Sequence, residues 1–173
     1  MKSTRSILAA GLLTFGAFAL TTYTSCTKKD KCEDVTCQNG GSCVNGSCNC
    51  PEGWEGNNCQ TASSAKFKGF YQATDDCPLG DREGSDLVYD IVINASNNNP
   101  TAITVQGLGN TDNILTATAD GKTLLVAEQE GTDGRFYDAD ITYVNDSTLK
   151  ADFRVKDAAG GNPIEACSST LRK

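Results

Sequence analysis

Apolar and polar side chains alternate with a period of two through the last third of the chain. Tyr137, Ala139, Ile141 and Tyr143 interleave with Phe136, Asp138, Asp140 and Thr142, and Leu149, Ala151, Phe153 and Val155 interleave with Lys150, Asp152, Arg154 and Lys156. Successive side chains of a strand point to opposite faces, so this pattern predicts two half-buried strands. Similar, shorter patterns predict strands at 67–74, 87–95, 102–108, 113–119, 123–128 and 164–171, about eight in all. Their connections are short and rich in turn formers: Asp120-Gly121, Gly131 to Gly134, Asn145-Asp146 and Ala158 to Pro163. No segment carries a helical stripe. Eight sequential strands joined by hairpins predict an all-β domain over residues 66–173, an up-and-down antiparallel meander closed into a small barrel, with a β-sandwich as the alternative.

The alternation is absent upstream. Lys2 and Arg5 precede an apolar run at 7–20, which at 14 residues is short of the ~20 needed to span a bilayer as a helix. Residues 1–25 therefore read as an export signal. Nine cysteines in 173 residues agree with an oxidising compartment. Six of them fall within 32–59, Cys77 and Cys167 stand far apart, and Cys26 is left over. Tyr23-Thr24-Ser25-Cys26 resembles a bacterial lipobox, with Tyr23 in place of the usual leucine. That resemblance implies lipid on Cys26 and a tether over 26–31; secretion with Cys26 left as a thiol is the alternative. Two or more acyl chains, at ~0.8 kcal/mol per buried methylene, hold a protein stably at a membrane. Lys28, Lys29, Asp30, Lys31, Glu33 and Asp34 resemble the charged sequences that follow the lipid cysteine in surface-exported lipoproteins of Bacteroidota. Outer-membrane, cell-surface placement is the expectation.

The six clustered cysteines have the spacing C-x4-C-x5-C-x4-C-x-C-x8-C, ending Cys48-Asn49-Cys50-Pro51-Glu52-Gly53-Trp54, with Asn39-Gly40-Gly41 in the middle. Spacing alone leaves 15 pairings open. Residues 32–59 closely resemble the epidermal-growth-factor-like (EGF-like) family, which implies Cys32 with Cys43, Cys37 with Cys48, and Cys50 with Cys59. The resemblance also implies that Trp54 packs on the last bridge. A module of this size needs its bridges, because fewer than ~40 residues bury too little apolar surface to fold alone. The calcium-binding variant of the family is not expected, since the segment Val44-Asn45-Gly46-Ser47 is short and lacks an aromatic residue. Residues 60–65 are small and polar and read as a linker. In a closed meander the first and last strands are neighbours, so Cys77 is expected to pair with Cys167, closing a 91-residue loop.

Charge and chemistry narrow the function. Without residues 1–25 the chain carries 13 basic and 22 acidic residues, a formal charge of −9, which excludes nucleic acid as a partner. It has no histidine, the commonest general base and metal ligand. No nucleophile elbow or phosphate-binding glycine loop occurs. No metal or cofactor is expected, and the chain reads as a non-enzyme. Asp75, Asp76, Asp81, Glu83 and Asp86 crowd what reads as the first barrel loop, a solvated acidic surface. Asp146-Ser147-Thr148 resembles a Bacteroidota O-glycosylation acceptor, with Ser147 as the modified residue. The strand spacing and the opening Phe67-Lys68-Gly69-Phe70-Tyr71 resemble lipocalin-like domains. Two functions follow: a surface protein that binds an extracellular protein or glycan, or a carrier of a small apolar ligand inside the barrel.

Overall fold

The computed structural model describes residues 31–81 and 87–173. Disulfides organise its N-terminal part. Cys32–Cys43, Cys37–Cys48 and Cys50–Cys59 are bridged, the pairs that the family resemblance implies. A hairpin of β1 (Ser42–Val44) and β2 (Ser47–Asn49) turns through Asn45 and Gly46, both at positive φ. That is the geometry of a two-residue turn whose twist matches its strands. A second small ladder pairs β3 (Trp54–Glu55) with β4 (Thr61–Ala62).

The remaining strands are β5 (Gly69–Leu79), β6 (Val88–Ala95), β7 (Ala102–Gln106), β8 (Ile114–Asp120), β9 (Thr123–Glu130), β10 (Phe136–Asn145), β11 (Thr148–Lys156) and β12 (Pro163–Arg172). Each pairs antiparallel with the next, and β12 pairs with β5, so the sheet is a closed eight-stranded meander with no free edge. Tyr71, Tyr89, Ile91, Ile93, Leu115, Leu124 and Tyr137 are among the buried side chains that fill its interior. The period-two reading of β11 agrees with the burial pattern, with Leu149, Ala151, Phe153 and Val155 all inside; in β10 Tyr137, Ala139 and Ile141 are inside as read, but Asp138 between them is buried too, where the β9–β10 register shifts.

Three departures from the expectations arise from contacts between segments distant in the sequence, one from strand pairing and two from packing of the segment that precedes β5. The first strand runs to Leu79, five residues beyond its predicted end, because β12 continues to pair with it after β6 has stopped: the β5–β6 ladder ends at Thr74↔Val88, whereas β12 pairs as far as Ala166↔Leu79. Asp75 and Asp76 are therefore strand residues, and Cys77 lies within β5. Second, the segment 60–65 carries β4 and the start of a 3-10 helix, η1 (Ser63–Phe67), in which Ser63, Ser64 and Phe67 are buried. Third, Phe67 is the plug at one end of the barrel. It is 0% exposed, its ring meets Tyr143 edge-on with centroids 6.3 Å apart, and its carbonyl accepts a 2.9 Å hydrogen bond from the Tyr71 hydroxyl.

Candidate functional site

The Cys77–Cys167 bridge spans the seam that closes the barrel, with Cα atoms 4.1 Å apart, at the point where a bulge interrupts the β5–β12 register between Ala166 and Ser168. Beside it Asp75 points inward and is buried, accepting hydrogen bonds from the hydroxyls of Tyr89 and Ser169. An Asp75 carboxylate oxygen also lies within 4.8 Å of both sulfurs, but sulfurs joined to each other are not thiolates, so the three do not make a metal site. The Tyr89 hydroxyl in turn accepts from the Gly109 amide at 3.0 Å. That bond ties down the β7–β8 loop, whose Leu108 is fully buried at this end. The barrel is thus stoppered by Phe67 below and by Leu108 with the Asp75, Tyr89 and Ser169 group above.

The outer wall is uneven in charge. Over β9, β10 and β11, Asp138 is held by Arg154 and Lys156, and Lys156 also pairs with Glu128. Hydrogen bonding to Asp138 first, then to Glu128, raises the Lys156 ammonium above its ordinary range. Over β6 to β9 a recess of about 440 Å³ opens outward, lined by residues that include Asn94, Thr104, Thr116, Thr118, Leu125 and Ala127. None of its lining residues is charged, although 21% of the chain is. Depletion of charge marks the centre of protein interfaces. Leu125 is 50% exposed here, with Ile114 at 61% further along β8.

The β8–β9 ladder, whose Thr116, Thr118, Leu125 and Ala127 line part of this recess, is short. The β8–β9 pairing consists of Thr118↔Leu125, Ala119↔Leu124 and Asp120↔Thr123. Beyond it β9 bulges against β10, where the register shifts between Tyr137 and Ala139. Two side-chain carboxamides take over the joining of β8 to β9. Gln129 accepts from the Thr116 amide at 2.9 Å and donates to the Thr116 carbonyl at 2.8 Å. Asn113 accepts from the Thr132 amide at 2.7 Å. The sequence pattern assigns neither residue a role: Asn113 opens the strand predicted at 113–119, Gln129 lies one residue past the strand predicted at 123–128, and a single carboxamide carries no period-two signal.

The other predicted positions fall apart from this seam. Ser147 is exposed at the β10–β11 turn, where both its amide and its hydroxyl donate to Asn145. Asp81 is exposed, and Trp54 is half-buried in β3. Cys26, the export signal, Glu83 and Asp86 lie outside the described residues. No protein-family model matches the sequence, and neither does any curated protein.

Proposed function

We propose that this chain is a non-enzymatic, lipid-anchored surface protein that binds an extracellular protein or glycan through the outside of its barrel and its EGF-like module. The observation that supports it is the filled and stoppered interior: large side chains such as Phe67, Tyr71, Tyr89, Ile91, Leu115 and Tyr137 occupy the volume a carried ligand would need. Recesses among the described residues open on the outer wall, as the one over β6 to β9 does. A rigid closed platform with loops and faces turned outward suits recognition. Lipid on Cys26 would place that platform at the membrane, with the disulfide module nearest the tether.

Native mass spectrometry of protein purified from its host tests the reading. The expected mass is that of the chain plus its acyl groups, with no second small molecule, and Cys26→Ser should release the protein from the membrane fraction. A stoichiometric apolar ligand that co-purifies with Cys26→Ser protein would overturn the platform reading and establish a carrier.

A further inference from the structure

We infer that the barrel end plugged by Phe67 is a membrane-facing surface, which rests on the anionic phosphate headgroups of the bilayer that holds the lipid anchor. This deepens the surface-protein reading and rests on its tether. Strand direction sorts the charges: β5, β9 and β11 begin at the plug end, and β8, β10 and β12 finish there. Lys68, Lys122, Lys150, Arg172 and Lys173 are exposed at that end, against the exposed acids Asp120 and Asp146. None of these five cations makes an ion pair among the described residues, whereas Lys66, Arg154 and Lys156 all do. Printed backbone contacts string them into one crescent. The Lys122 carbonyl accepts from the Tyr143 amide at 2.8 Å, the Ser147 carbonyl accepts from the Lys173 amide at 3.0 Å, and Arg172 pairs with Gln72 of β5. Two apolar side chains stand among them, Phe70 at 77% and Val144 at 47% exposure. Cations beside exposed apolar side chains are the composition that settles on anionic lipid.

The rest of the plug end leads to the anchor. The Gly53 carbonyl accepts from the Ser63 amide at 2.8 Å, the Ser64 amide donates to the Pro100 carbonyl at 3.0 Å, and Lys66 joins Glu55 to the Gly121 carbonyl. These bonds fix the disulfide module to the same end of the barrel. Its chain runs back to Lys31, five residues from Cys26, ~17 Å of extended chain at most. An anchored protein therefore reaches the bilayer from the end that carries the crescent. The opposite end exposes Asp81, Asp112, Asp133 and Asp157. The 9 residues of β11, tilted in the barrel, set the two ends ~20 Å apart or more. That exceeds the ~8 Å screening length at physiological salt, so an exported chain of net charge −9 can still be drawn down by one end. The outward row above the crescent is acidic, with Asp140, Asp152, Ser168 and Asp76 in register across β10, β11, β12 and β5. Attraction ends at that row, and the barrel stands on its rim. Ser147 lies within the crescent, so a glycan there would lift the rim from the surface.

The test uses the full exported chain, oxidised and unglycosylated, with Cys26→Ser so that no acyl group contributes. It is sedimented with vesicles of phosphatidylcholine alone, or of equal parts phosphatidylcholine and phosphatidylglycerol. Binding is expected on the anionic vesicles only and should fall as salt rises. Lys68→Gln, Lys150→Gln and Arg172→Gln together should weaken it about a hundredfold, near fivefold per cation. Phe70→Ala should weaken it about tenfold, and Arg135→Gln at the far end should change nothing. A nitroxide on the lipid headgroup should broaden the amide signals of Phe70, Val144 and Lys173 and spare those of Asp81 and Asp133. The proposal falls if anionic vesicles leave the chain in solution, if the far end is broadened, or if Arg135→Gln weakens binding as much as the triple change. It falls equally if inorganic phosphate alone saturates the same amides, which would make the crescent a free-anion site. Absence of acyl groups on the host protein would strike the anchor and leave these vesicle measurements unaffected, so the two failures are distinguishable.

Discussion

Replacing Phe67 by alanine should cost about 3–5 kcal/mol, the range for removing a fully buried aromatic side chain. The structure places this substitution at the severe end of surface-proximal changes. The ring is 0% exposed and closes the barrel end against Tyr143, so its loss leaves a void, together with ~1 kcal/mol of edge-on ring contact. The backbone carbonyl that receives the Tyr71 hydroxyl is retained. For a domain of roughly 100 residues, each kcal/mol moves the melting temperature by ~4 °C or more, so a drop of about 12–20 °C is expected. Phe70 is the internal control. It lies three residues on and is 77% exposed, so Phe70→Ala should stay within ~0.5 kcal/mol. Urea titrations under oxidising conditions, followed by far-ultraviolet circular dichroism for the barrel and by Trp54 fluorescence for the disulfide module, measure both variants. A loss below 1 kcal/mol for Phe67→Ala, or equal losses for the two phenylalanines, would refute the assignment of Phe67 as the plug.

Three other outcomes are expected. Replacing Cys77 and Cys167 together by alanine, which opens a bridge between residues 90 apart, should lower stability by roughly 4–5 kcal/mol in the same titration, the chain-entropy value for a loop of that length. The phenol of Tyr71, pushed up to about 12 by burial and then by Tyr143, favours the protonated form in the folded state. Its contribution to stability is therefore complete below the unfolded value near 10 and is lost as pH rises toward 12; ultraviolet titration of the phenolates and alkaline unfolding of Tyr71→Phe should both show this. Gly107 has φ +93°, and a Cβ there would lie 2.4 Å from the Asp90 carbonyl oxygen. Gly107→Ala should then cost ~2 kcal/mol or more, against ~1 kcal/mol for Gly134→Ala, where positive φ is the only obstacle, as read by thermal melts.

A side chain's local alternation made the strands legible. Leu149 to Val155 and Tyr137 to Ile141 read as one-sided strands because a sheet with a single buried face imposes a period of two on the sequence, whatever its partners are. Short turns such as Asp120-Gly121 made antiparallel neighbours the simplest connection, and from eight such neighbours the closed meander followed. Cysteine spacing, read through a family resemblance, supplied the three N-terminal pairings, and closure of the meander brought Cys77 to Cys167. Other features depend on partners distant in the chain. That β5 continues past Thr74, that Asp75 turns inward to Tyr89 and Ser169, and that Phe67 is buried while Phe70 is exposed follow from the β12 ladder and from η1 packing on the barrel end. The bulge of β9 against β10, and the carboxamides of Gln129 and Asn113 that join the β9 side to β8 beyond their short ladder, left no mark in the hydrophobic pattern. Hydrogen bonding between a polar side chain and a remote backbone depends on where the backbones lie, and the folded chain alone decides that.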